Sequence, residues 1–201
     1  MADQHCFEPY VATPPDHIYI PNYVHLFATF HLNDTDKGPA EIRRGAAQLS
    51  APFPFMTGHL VESDGIYPDK KGVTLALPST DENPAKALLQ VKCRYDTLLP
   101  GPREVGDLDE SYAPLGYLVQ PPRQKPVLGF QANVLADGIV LCLSANQRVF
   151  DAPWCGTVLE LLAQCMQHAE VKDLALSTSA APEVETRKTI FAATSRAVTG
   201  G

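Results

Sequence analysis

The chain has 201 residues, 45% hydrophobic and 19% charged, with a formal net charge of -7. That composition builds a sizeable core and excludes a disordered chain. With acidic residues scattered and no basic stripe to neutralise phosphates, it also excludes nucleic acid and anionic membranes as partners.

In chain order, MADQHCFEPY has neither a cationic region nor an apolar run of a secretory signal, so a cytoplasmic location is expected. No apolar stretch is long enough to span a bilayer. VATPPDHIYIPN is an extended, proline-punctuated lead-in, and YVHLFATFHL alternates as a strand. Asn33, Asp34, Thr35, Asp36 and Gly38 mark a turn. AEIRRGAAQLS places Ile42, Ala46 and Leu49 at helical spacing, with Arg43 and Arg44 on the opposite face. Pro52 and Pro54 end that helix, and a strand starts across Thr57, Gly58, His59, Leu60 and Val61. DGIYPDKKGVTLAL reads as strand, turn and strand, with the turn at DKK or KKG.

Asn83 and Pro84 supply a cap and first-turn proline for a short helix, AKALLQ. Residues 98–124 form a proline-rich surface loop. PVLGFQANVLA and GIVLCLSAN are core strands, joined as a hairpin at Asp137-Gly138. GTVLELLAQCMQHAEV is the clearest helix, with Val158, Leu161, Leu162, Cys165, Met166 and Ala169 on one face. After Lys172 the chain turns small and polar, so 1–172 is expected as one domain and 173–201 as a linker or docking arm. Cys6, Cys93, Cys142, Cys155 and Cys165 are widely spaced and read as reduced thiols. Only Cys165 and His168 approach metal-ligand spacing, without a second pair, so no metal is expected.

The block PVLGFQANVLADGIVLCLSANQRVFD, followed by a helix, resembles the BAHD-like acyltransferases, especially the fungal branch that decorates secondary metabolites. Gln131, Gly138 and Asp151 stand in that family's order, and AEIRRGAAQLSAPFPFMTGHL looks like its first helix, proline turn and strand. The resemblance covers roughly residues 15 to 172 as an ordered set of weak motifs. It implies an α/β chloramphenicol-acetyltransferase-like domain: two layers, with a mixed, mostly antiparallel sheet flanked by helices. Two departures stand out. The family's HxxxD histidine falls on Gln147, giving QRVFD, and the second of the family's two similar domains, with its DFGWG-like segment, is not seen.

Those departures bear directly on chemistry. Acyl transfer needs a base to take a proton from the attacking alcohol or amine, and imidazole does this near neutral pH. A primary amide does not, although Gln147 can donate an N–H to a carbonyl. Asp151 matches the motif Asp, which in the family supports the fold through an ion pair; a free acid/base role is the alternative. His31, Trp154 and Cys155 are candidate substrate-binding residues, and His31 and His59 are candidate replacement bases. Three functions follow. One is cofactor-free cyclisation or isomerisation of an apolar polyketide- or terpenoid-like molecule. Another is a catalytically dead binding partner, and the third is acyl-CoA-dependent O-acyl transfer with a base from elsewhere. The expected partners are a small-molecule substrate and further copies of the chain in a homo-oligomer.

Overall fold

The computed structural model describes residues 22–32, 34–35, 37–51, 53–67, 70–76, 88–94, 108–117 and 125–167. Alternation in YVHLFATFH gives strand β1 (Tyr23–His31), and the expected first helix is α1 (Lys37–Ser50). A 3-10 turn at Pro54–Thr57 leads into β2 (His59–Tyr67), then β3 (Lys70–Ala76) and β4 (Leu89–Cys93). A second 3-10 turn, Glu110–Tyr112, precedes β5 (Lys125–Pro126), β6 (Leu128–Leu135) and β7 (Gly138–Asn146). Helix α2 (Ala152–Gln167) follows.

The strands form two sheets, ordered β1-β7-β6-β4 and β3-β2-β5. In the larger, β7 runs antiparallel to β1, from Tyr23 opposite Asn146 to His31 opposite Gly138. It is antiparallel to β6 as well, whereas β4 pairs with β6 in parallel, Leu89 opposite Phe130. The sheet is therefore mixed and mostly antiparallel.

One face of that sheet carries the core. Phe130 and Ala132 of β6 and Leu141, Leu143 and Ala145 of β7 join Ile42, Ala46 and Leu49 of α1 and Val158, Leu161, Leu162 and Cys165 of α2. The helices cross where a Cβ on Gly45 would lie 2.6 Å from Met166 Cγ, so only glycine permits this approach. The opposite face is polar yet equally buried: Gln131, Asn133, Ser144 and Asn146 are all 0–1% exposed. Residues 108–117 cover it, and their carbonyls take up its donors. Gln131 Nε2 donates to Ser111 O (2.8 Å), and Asn133 Nδ2 donates to Tyr112 O (2.9 Å). Arg94 donates to Asn133 Oδ1 and lays its guanidinium 3.7 Å from the Tyr112 ring centroid.

Several expectations are corrected. Leu89 and Gln90 belong to β4 rather than to the helix AKALLQ. Tyr67 pairs with Lys70, which puts Lys70, Lys71 and Gly72 in β3 instead of the turn. The β6–β7 hairpin loop is Ala136-Asp137, with Gly138 already paired to Leu135. Thr57 and Gly58 precede β2, and α2 starts four residues before Gly156. Arg44 does not face away from the core. It reaches the carbonyls of Cys165 and Met166 at the end of α2, where a cation complements the helix dipole. The lead-in 11–21, Asn83 to Ala87, His168, Ala169 and the boundary with the tail 173–201 lie outside the described residues. Among those described, no helix is long and apolar enough to cross a membrane, and no group of three or more His, Cys, Asp or Glu gathers to hold a metal.

Candidate active site at the end of β7

Strand β7 ends because Asn146 closes a turn on itself. Its side-chain Oδ1 accepts from Arg148 N at 3.0 Å, and its carbonyl accepts from Val149 N and Phe150 N. Such side-chain bonds offer the backbone an alternative to the ladder, so the strand stops here. Gln147 is carried on this turn, half-buried, with its backbone N–H donating to Asn22 O at 3.2 Å. The backbone of Gln147 is thus anchored at the strand end. Arg148 is half-buried too, and its buried Nε has no hydrogen-bond partner.

Asp151 is occupied structurally. Its Oδ1 accepts from Trp154 N at 2.9 Å and its carbonyl from Cys155 N at 3.1 Å, the geometry of an N-cap on α2. That cap explains why the helix begins at Ala152 and tolerates Pro153 in its first turn. Trp154 packs half-buried against the core at the start of α2, while Gln147 lies on the turn before Asp151. Cys155 follows them in sequence but is fully buried in the helix-side core. Burial, reinforced by the Asp151 charge, pushes its thiol up to about 11.

The two histidines singled out as replacement bases separate. His31 lies at the far end of β1, opposite Gly138, while Tyr23 at the near end lies opposite Asn146. At about 3.4 Å per residue, eight residues place His31 about 27 Å from the Gln147 end. His59 instead opens β2 beside that end. Val127 N donates to Gly58 O and Asn146 N donates to Val127 O, both at 2.9 Å, so a backbone relay joins the start of β2 to the end of β7.

A third histidine was not foreseen. His25, on the buried polar face, shares a 2.7 Å hydrogen bond between its Nδ1 and Ser144 Oγ, and its buried Nε2 has no partner. Burial holds the imidazole below its ordinary 6.5, partly offset by the charge of Glu110. It lines an open groove of about 440 Å³ with Phe27, Leu108, Asp109, Glu110, Ala113 and Tyr117. Nearby Tyr23 donates to Pro126 O at 2.9 Å, and burial raises its phenol to about 12, with Asn146 working against the rise. Strand alternation alone puts His25 with Phe27 on one face of β1 and Ser144 with Asn146 on one face of β7, but the register that joins those faces is not read from it. It does not reveal that 108–117 folds over that face.

No family model matches the chain. Comparison with characterised proteins is decisive in its place. The chain is 36% identical over 192 residues to Communesin N16 acyltransferase cnsK of Penicillium expansum, covering 92% of this chain and 41% of that protein. It is 35% identical over 196 residues to Fumigaclavine B O-acetyltransferase easN of Aspergillus fumigatus, covering 93% of this chain and 39% of the relative. This chain is a relative of the fungal BAHD-like acyltransferases. The fold agrees. TRI101 of F. sporotrichioides, crystallised with coenzyme A and T-2, superposes with a TM-score of 0.64 at 18% identity, over 80% of this chain and 39% of that one. The chain spans about two fifths of the length of the curated relatives it matches.

Proposed function

We propose that the chain serves acyl transfer in fungal secondary metabolism, with Gln147 as a hydrogen-bond donor to the acyl carbonyl and the proton-accepting role moved to His59. The observation that supports this reading is that Gln147 stands on the turn that ends β7, its backbone anchored to Asn22, while Asp151 caps α2. A preorganised donor stabilises charge developing on a carbonyl oxygen, but an amide does not take the proton released by the attacking group. A base must therefore come from elsewhere at the same end, and β2 brings His59 there. His31, at the far end, is not part of this proposal.

The experiment is turnover of acetyl-CoA, followed by thiol release, with fumigaclavine B as the test acceptor because easN is named for it. Acceptor-dependent thiol release that is lost in His59→Ala and retained in His31→Ala supports the assignment. Release that survives His59→Ala contradicts it. A second reading, cofactor-free cyclisation or isomerisation, draws on the same amide, since such rearrangements need shape and one or two hydrogen bonds to a carbonyl rather than a base. Conversion of a pathway intermediate without acyl-CoA would favour that reading.

A further inference from the structure

The groove over the polar sheet face has walls and a rim of opposite character. Its inner surface is Phe27, Leu108 and Ala113, with the half-exposed Tyr117 ring at one side. Three aromatic rings converge there: the His25 centroid lies 6.2 Å from Tyr117 and 6.5 Å from Phe27. The rim is acidic. Asp109 and Glu110 are both exposed, and neither is ion-paired among the described residues, where the pairs are Lys37 with Asp34 and Arg44 with Glu41. Two cations stand behind that rim and outside the lining of the groove: Arg94, which also acts on Asp109, is engaged with the Tyr112 ring, Asn133 and Ser111, and Lys92 donates to Ser111 O at 3.4 Å.

Each carboxylate is held in place. Asp109 Oδ1 accepts from Ser111 N at 2.8 Å, capping the 3-10 turn, and these Ser111 bonds keep its carboxyl below the usual range. Glu110 Oε1 accepts from Tyr117 N at 3.3 Å, which ties the acid to the aromatic wall. His25, beneath them, is neutral at physiological pH and does not oppose a second cation. A neutral alcohol gains only a hydrogen bond from such a rim, without the charge–charge attraction, and an anion is repelled by it. A flat apolar body with a protonated amine matches both halves of the surface: rings against rings, and the ammonium between the acids.

We propose that this groove binds a hydrophobic amine in its protonated form, the apolar body against Phe27 and Tyr117 and the ammonium at Asp109 and Glu110. It deepens the preceding reading by naming the substrate class. The groove is close to the proposed reaction centre, because His25 stands two residues from Tyr23, which pairs with Asn146 and donates its N–H to Tyr117 O. Binding is measured here without turnover, so the groove and the acyl-transfer reading fail independently.

The experiment is calorimetric titration of the full chain with three probes of one shape: naphthylethylamine, naphthylethanol and naphthylacetate. The cation is expected to bind about tenfold tighter than the alcohol, and the anion weakest. Glu110→Gln keeps the acceptor for Tyr117 N and removes only charge. It should erase most of the preference for the amine while leaving the alcohol unchanged. Tyr117→Ala should weaken amine and alcohol together, and chemical shifts of the His25 imidazole should respond to the amine in the unaltered protein. Equal affinity for amine and alcohol, no binding of the amine, or an amine preference that persists in Glu110→Gln overturns the proposal. Unchanged thermal unfolding of Glu110→Gln guards against a folding artefact.

Discussion

His25 shows how one side chain links burial to behaviour. Its imidazole sits below 6.5 in the folded chain because burial disfavours the charged form, with Glu110 partly restoring it. A depressed folded value means that the unfolded chain binds the proton more readily. The stability it contributes is therefore complete above 6.5 and is lost as pH falls through the lower folded value. Thermal unfolding measured from neutral to acidic pH should show the unaltered protein losing stability below about 6.5, and His25→Gln should flatten that part of the profile. Parallel profiles would detach His25 from the acid response. Cysteine reactivity is set by burial in the same way. Cys93 is exposed, whereas Cys142, Cys155 and Cys165 are buried, with burial pushing Cys142 up to about 12. Labelling with a disulfide reagent, read by peptide mass spectrometry, should modify Cys93 well before Cys155. Early modification of Cys155 would return it to the candidate substrate-binding residues.

At the scale of elements, the start of α2 decides what Asp151 does. An N-cap contributes about 1 kcal/mol, and asparagine caps as well as aspartate. Asp151→Ala should therefore lower stability by about that amount while Asp151→Asn leaves it nearly unchanged, as measured by urea unfolding. If Asp151→Asn instead preserves stability but abolishes turnover, the carboxylate acts in chemistry as well as in the cap. Much of the element pattern was legible in the residues. The alternating strands around Asp137-Gly138 and the apolar face of α2 are read directly, because their side chains meet a single core. β4 was not legible: Leu89 and Val91 point to the core, but Gln90, Lys92 and Arg94 lie under or beside another polar segment and resemble a helix surface. Arg44 departs from its expected face for a related reason. Helical periodicity gives its angle from the core and says nothing of the carbonyls that α2 presents beside it.

For the whole molecule, the family resemblance pointed to the end of β7 but not to what lies around it. The order of Gln131, Gly138 and Asp151 pointed to the end of β7, and the fold places Gln147 there. The separation of His31 from His59, and the presence of His25, depend on strand register, which local sequence leaves open. Phe30 and Val61 are 44% and 46% exposed, but they stand singly on strands of different sheets, and scattered apolar side chains of that kind do not by themselves call for association of copies. The central claim is that Gln147 polarises a carbonyl and does not act as the base. Its most direct test is the acceptor-dependent rate of Gln147→Ala beside the unaltered protein, under saturating acetyl-CoA. Loss of one preorganised donor costs roughly 3 kcal/mol, so kcat should fall about a hundredfold with its pH profile unchanged in shape. An unchanged rate in Gln147→Ala would remove the residue from the mechanism and contradict the account.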